Sequence, residues 1–242
     1  MAWHEEPLIG FDLETTGTDP ATARIVTAAV LETKDGETVR GRHWLADPGV
    51  PIPGEAAAIH GITSERAAAA GRPAAEVAEE IADALTGHWA LGLPVVAYNA
   101  SFDLSLLAAE LHRHGLRPLR DRLLDAGGTG GVDGTGVGPV VDPYTIDRAV
   151  DRYRKGRRTL EAVCREYGVV LDEAHEAGAD ALAAVRVARA IAGRYPRVAG
   201  ADLAGLHRDQ IRWYAEWAAG YQAWLRRQGD AGAVVERGWP LR

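Results

Sequence analysis

Asp12 and Glu14 stand two residues apart at the end of the apolar run Pro7-Leu-Ile-Gly-Phe11. In a strand, alternate side chains share a face, so the two carboxylates project together while Phe11 and Leu13 go to the other side. Like charges that close repel and raise each other's pKa unless a cation sits between them. The pair is therefore a solvated edge or half of a metal site. Thr15-Thr16-Gly17 follows, with small side chains and a glycine that leave backbone N–H groups open to a ligand. With 34 acidic residues in 242, an acid-x-acid triplet arises by chance about five times, so the pair needs partners to carry meaning.

Two later clusters supply candidates. In "YNASFD", Tyr98 to Asp103, the aspartate falls in the first turn of a helix, where the dipole favours its ionised form. That is also where ordinary helix-start aspartates sit. In "HEAGADA", His175 to Ala181, five residues of continuous helix would rotate His175 about 140° away from Asp180. They converge only if His175 lies on the loop before the helix, and Gly178 makes an interruption there. A lone histidine before a helix is otherwise a solvent-exposed residue.

The elements that must position these groups are legible from periodicity. Three strands are predicted at Leu8–Leu13, Arg24–Thr33 and Glu37–Ala46, the last two joined by a tight Asp-Gly turn and all antiparallel. Asp47 to Ala56 reads as a loop, and Thr63 or Ser64 caps a short helix that Gly71 ends. Pro73 opens another helix to about Leu85. Leu93 to Asn99 is a buried strand, with Ser101 expected to cap the helix after it. A Gly-rich loop, Ala126 to Gly138, precedes the strand "PVVD". Helices follow at about Thr145–Tyr153, Thr159–Tyr167 and Gly178–Ala192. The class is α/β: a mixed five-stranded sheet with its first three strands antiparallel, flanked by helices. From residue 194 the pattern changes. Leu203, Leu206, Gln210, Trp213, Trp217, Tyr221 and Trp224 recur at helical spacing, predicting a C-terminal amphipathic helical extension folded back on residues 1–193 or onto a partner.

Composition bounds the setting. The chain is 47% hydrophobic and 25% charged, without the bias of a disordered protein, and its single cysteine excludes an internal disulfide. The longest stretch free of acids and bases, Ala84 to Phe102, is broken by His88, Gly92, Pro94 and Asn99 and does not read as a membrane span. No signal peptide is read at the N-terminus, and a soluble cytoplasmic protein is expected. Net charge is −7, so the surface as a whole is no trap for nucleic acid. Six bases nevertheless fall between Arg148 and Arg158, with Asp151 the one acid among them. That run is a solvated helix end or a phosphate-contacting patch.

The order Asp-x-Glu, Asn-x-x-x-Asp, His-x-Ala-x-x-Asp, each in its structural context, resembles the DEDDh 3′-to-5′ exonuclease family, typified by the proofreading epsilon subunit of bacterial DNA polymerase III. "HGIT" at His60 and "TLEAVCREYGV" at Thr159 are similar to that family too. The resemblance spans about residues 7 to 192. It implies a ribonuclease H-like fold binding two Mg²⁺ or Mn²⁺ ions through Asp12, Glu14, Asp103 and Asp180. His175 then takes a proton from the attacking water. It further implies a 3′ terminus against Thr15 and Thr16, with His60, Ile62, Asn99 and Phe102 around the last nucleotides. Carboxylates so clustered need divalent cations to stay ionised, and hard oxygen ligands suit these metals. The expected partner is a nucleic acid 3′ end, DNA favoured over RNA, with a polymerase or other protein reached through the C-terminal helix and no membrane.

Three other readings compete. The same fold can serve as a non-catalytic nucleic-acid-binding subunit, although all five catalytic positions are filled. An RNA 3′-end exoribonuclease would use the same site, because discrimination rests on the 2′-OH. The GxGxxG-like spacing in "GGTGGVDGTGVG" lacks the strand and helix of a nucleotide-binding loop, and Pro139 follows instead.

Overall fold

The computed structural model describes residues 2–128, 131–171 and 175–242. Residues 8–47 form the expected antiparallel meander: β1 (Leu8–Thr15), β2 (Ile25–Lys34) and β3 (Glu37–Asp47). The β2–β3 turn is Asp35-Gly36, both at positive φ, the conformation that Asp-Gly adopts at least cost. Three of the helices that follow are α1 (Gly54–His60), α2 (Ser64–Ala70) and α3 (Ala74–Ala90), with the two-residue strand β4 (Arg72–Pro73) before α3. Next come β5 (Val95–Val96), α4 (Ala100–Arg113), α5 (Leu119–Asp125) and β6 (Val140–Val141). The chain closes with α6 (Pro143–Val150), α7 (Leu160–Tyr167), α8 (Ala177–Arg194), α9 (Pro196–Ala199) and α10 (Leu203–Arg227).

The sheet has six strands rather than five, in the order β4-β3-β2-β1-β5-β6. The additional strand is β4, whose two residues pair with the end of β3, parallel to it. Thr63 caps α2, accepting a hydrogen bond from the Arg66 N–H, and Gly71 ends it. Ser101 is not a cap. Asn99 precedes α4 in the left-handed conformation, and the Ser101 hydroxyl instead meets the Tyr214 hydroxyl and Arg242. Of the Gly-rich stretch, Thr129 and Gly130 lie outside the described residues.

Alternation along β1 divides the core into two layers. Phe11 and Leu13 enter the larger cluster with Val77, Ile81 and Leu85 of α3 and Leu104 and Leu107 of α4. Leu8 joins the other, with Val163 of α7 and Val185, Ala188 and Ile191 of α8. α10 packs against both: Leu206 in the second, Tyr214 and Ala218 in the first. Gln210 is fully buried and bonds the backbone of Val140 in β6 and of Asp142 just after it, so this part of α10 is packed helix. Among the described residues no helix is long and apolar enough to cross a membrane.

Candidate active site

Gly10, Asp12 and Glu14 share one face of β1, the face covered by α8. At Gly10 a Cβ atom would lie 2.9 Å from the Ala181 carbonyl oxygen, so glycine lets the helix come down onto the strand. Asp180 is the neighbour of Ala181, and this close approach delivers it to Asp12 and Glu14. Gly10→Ala is expected to cost about 1–3 kcal/mol of stability. It should weaken divalent-metal binding as well, measured by calorimetry on protein that still gives a native circular dichroism spectrum.

Asp103 arrives from the opposite layer. β5 pairs with β1 only at Ile9 and Gly10, after which the chain turns away into α4 and leaves the edge of β1 open. The Asp103 carboxylate takes the vacated place and accepts a hydrogen bond of 3.2 Å from the Leu13 N–H. It is 3% exposed. α4 is aimed by Asn99, an asparagine at φ +66°, one of the few residue types that tolerate that region. The Asn99 N–H is held at 2.9 Å by Asp142, the N-cap of α6.

His175 lies off the helix, as its spacing to Asp180 requires. Its φ is +71°, and Glu176 is the N-cap of α8, its carboxylate accepting from the Ala179 N–H. Ligand atoms of Glu14, His175 and Asp180 lie within 4.8 Å of one another. His175 is exposed, open to a substrate from solvent.

Burial and mutual repulsion dominate the electrostatics of the cluster. Burial, then Asp103, Asp180 and Glu14, push the Asp12 carboxyl well above its usual range. Burial, then Asp180 and Glu176, raise Glu14 to about 7. Asp103 is raised by burial, against the pull of hydrogen bonds from its own and the Leu13 backbone. Asp180 is raised mainly by burial, which the neighbouring His175 opposes. Its Oδ1 is buried without a hydrogen-bond partner. A buried carboxylate oxygen left unpaired among like charges suits a cation ligand, and a set of carboxylate oxygens suits a hard divalent ion.

The predicted substrate contacts divide. His60 ends α1 with Nδ1 accepting from the Ile62 N–H and Nε2 buried without a partner. Burial lowers its pKa, the nearby Thr15 backbone opposes that push, and His175 adds a smaller one downward. His60 thus lies within electrostatic reach of both Thr15 and His175. The Thr15 hydroxyl donates to the Gly17 carbonyl and that of Thr16 accepts from the Arg24 N–H, so both shape the loop after β1. Ile62 is buried in a small cluster with Val26, Ile52 and Ala67, and Phe102 packs against the main core. Asp142, Gly10 and Glu176 are the residues of this site that sequence reasoning missed. An Asp before Pro143 and a Glu beside His175 were the only signals.

A mixed sheet flanked by helices, with carboxylates gathered at the end of its first strand, defines an α/β protein of the ribonuclease H-like class. The chain belongs to the exonuclease family: the RNase T exonuclease profile matches residues 9–188. It is 27% identical over 184 residues to the PolC-type DNA polymerase III of Streptococcus thermophilus, covering 76% of this chain and 11% of that one. It is 41% identical over 101 residues to a DNA polymerase III subunit epsilon-like protein of Rhodobacter capsulatus, covering 40% of this chain and 13% of that one. Exonuclease I of E. coli bound to a dT13 oligonucleotide superposes with TM-score 0.63 at 22% identity, over 80% of this chain and 42% of that one. The exonuclease I of Methylocaldum szegediense gives 0.60 at 25% identity, over 79% and 41%. The chain thus spans about a tenth of the polymerase relatives and two fifths of exonuclease I.

Proposed function

We propose that this chain is a 3′-to-5′ exonuclease that removes nucleoside 5′-monophosphates from single-stranded or frayed DNA ends, with residues 1–193 as the catalytic unit. The observation that carries the reading is the convergence of Glu14, His175 and Asp180 beside the buried Asp12 and Asp103. Relatives named as DNA polymerases, and a fold neighbour bound to a dT13 oligonucleotide, favour DNA over RNA.

Asp12, Glu14, Asp103 and Asp180 would hold two Mg²⁺ or Mn²⁺ ions. Such ions, when bound, stabilise the attacking and leaving oxygens of an in-line displacement at phosphorus. His175, exposed at the mouth and next to Glu14, accepts the proton of the attacking water. The new P–O bond forms as the bond from phosphorus to the 3′ oxygen of the penultimate nucleotide breaks. That nucleotide keeps a 3′-hydroxyl, and the terminal one leaves as its 5′-monophosphate. His60, behind Thr15, packs the wall against which the terminal sugar is placed.

The test incubates purified protein with matched 5′-labelled DNA and RNA oligonucleotides in Mg²⁺, Mn²⁺ or chelator. Stepwise shortening from the 3′ end, faster on DNA and abolished by chelator, is expected. His175→Ala should reduce it by about 10²-fold or more, the usual worth of a positioned general base. Chelator-resistant degradation, or none on any substrate, would overturn the reading. Preference for the RNA strand would instead favour the exoribonuclease alternative.

A further inference from the structure

The basic run between Arg148 and Arg158 and the aromatic stripe of α10 lie far apart in the chain, yet they meet. They line a groove of about 630 Å³ between α6 and α10, with Tyr144, Arg148 and Arg152 on one side and Trp217, Tyr221 and Arg227 on the other. The rings of α10 form a ladder. Trp217 and Tyr221 stack at 5.5 Å, Tyr221 and Trp224 at 5.7 Å, both pairs within 12° of parallel. Tyr221 and Trp224 are 41% and 46% exposed, an unusual investment of aromatic surface in solvent.

The cations divide into two groups. Arg154 and Arg158 are committed to the fully buried Asp147. Arg148 lies 4.0 Å over the Trp217 ring and 4.6 Å over Tyr144, and one of its N–H groups donates to the Tyr144 hydroxyl. Among the described residues no carboxylate pairs with Arg148, Arg152 or Arg227, and Glu216 is the one acid in the lining. In a chain of net charge −7, uncompensated arginines beside open aromatic rings mark an anionic, planar ligand. The groove also lies beside the start of α4, the helix that carries Asp103. The Tyr144 ring lies 5.5 Å from that of Tyr98, the residue before Asn99, and Tyr214 beneath the ladder meets Ser101 in the first turn of α4.

We propose that this groove binds single-stranded nucleic acid, taking the strand upstream of the 3′ end held at the catalytic site. Bases stack on the Tyr221–Trp224 end of the ladder, and phosphates lie on Arg148, Arg152 and Arg227. An aromatic-lined protein groove could also take a peptide, but stacked parallel rings and unpaired cations match alternating bases and phosphates better. The direction of the strand rests on the exonuclease reading, whereas binding in the groove does not.

The experiment measures anisotropy of labelled oligonucleotides of about four and sixteen residues in chelator, between about 50 and 200 mM salt. Wild-type protein should bind the longer strand more tightly. The Arg152→Glu/Arg227→Glu double variant, altered only at exposed positions, should lose that length dependence and lower the salt slope by about one to two. Trp224→Ala should weaken binding of the long strand about fivefold or more. Oligonucleotide should quench tryptophan fluorescence in wild type and less in Trp224→Phe. Unchanged affinity and slope in the variants would overturn the proposal, as would quenching by an acidic peptide but not by oligonucleotide. Wild-type protein that binds through the groove but cleaves nothing would sink the exonuclease reading alone. Active protein whose groove variants bind normally would sink the groove alone.

Discussion

Asp12→Asn is expected to lower 3′-end hydrolysis by more than about 10³-fold and, in the same protein, to raise the thermal midpoint without metal. The first effect follows from removing one arm of the proposed metal-holding cluster. Charge stabilisation by such ions is worth several kcal/mol in the transition state, and each 1.36 kcal/mol is about tenfold in rate. The second follows from the repulsion that the metal-free protein carries. Burial and four neighbouring carboxylates hold Asp12 above its usual range, and Glu14 is raised to about 7. A carboxyl raised in the folded state binds its proton more tightly there than in the unfolded chain. Stability is therefore full below about pH 4, where the unfolded carboxyls are protonated, and falls as pH rises through the folded values. An amide carries no such charge at any of these pH values. Scanning fluorimetry in chelator should show Asp12→Asn above wild type, with a gap wider at pH 8 than at pH 5. Each kcal/mol relieved raises the midpoint by about 2–4 °C in a chain of this size. Mn²⁺ should stabilise wild type more at pH 8 than at pH 5 and the variant less at both. A variant that retains activity within tenfold, or melts lower in chelator, would contradict this account of the cluster.

That cluster was legible in the sequence because its parts obey local rules. Strand alternation put Asp12 and Glu14 on one face, and the 140° mismatch between His175 and Asp180 required the break that Glu176 and the positive φ of His175 provide. The predicted interruption at Gly178 lies inside α8, two residues into the helix. Glycine there serves packing instead, since a Cβ would lie 2.6 Å from the His43 ring. Elements without a buried face were not legible. α1 has no buried residue and hence no periodicity to read, and β4 is two residues set between Gly71 and α3. Long-range roles were hidden as well. The α10 stripe reads as one face packed on the domain or on a partner, and its division was hidden: Tyr214 is buried while Tyr221 and Trp224 stand open. Asp142 reads as the end of the short strand "PVVD", with nothing to announce partners 43 and 97 residues away.

Those partners make Asp142→Ala the substitution expected to cost the most stability. The carboxylate is fully buried and accepts from the Asn99 N–H, the Tyr144 N–H, the Thr145 hydroxyl and the Trp239 indole. Burial pushes its carboxyl above the usual range, and these donors oppose that push by stabilising the charge. Alanine leaves at least the Asn99 and Trp239 donors buried and unpaired, at about 1–3 kcal/mol each, and removes the cap of α6 at about 1 more. A loss of about 3–5 kcal/mol should appear in urea melts as a lower midpoint with an unchanged slope. Trp239→Phe removes one donor and leaves the carboxylate its others, so it should cost less than half as much. The two variants also separate structure from function. Asn99 sets the start of α4 and so the position of Asp103. Asp142→Ala protein kept well below its melting temperature should therefore bind Mn²⁺ more weakly than wild type, whereas Trp239→Phe should not. Equal metal affinity in all three would mean that Asp142 holds the fold without aiming the site.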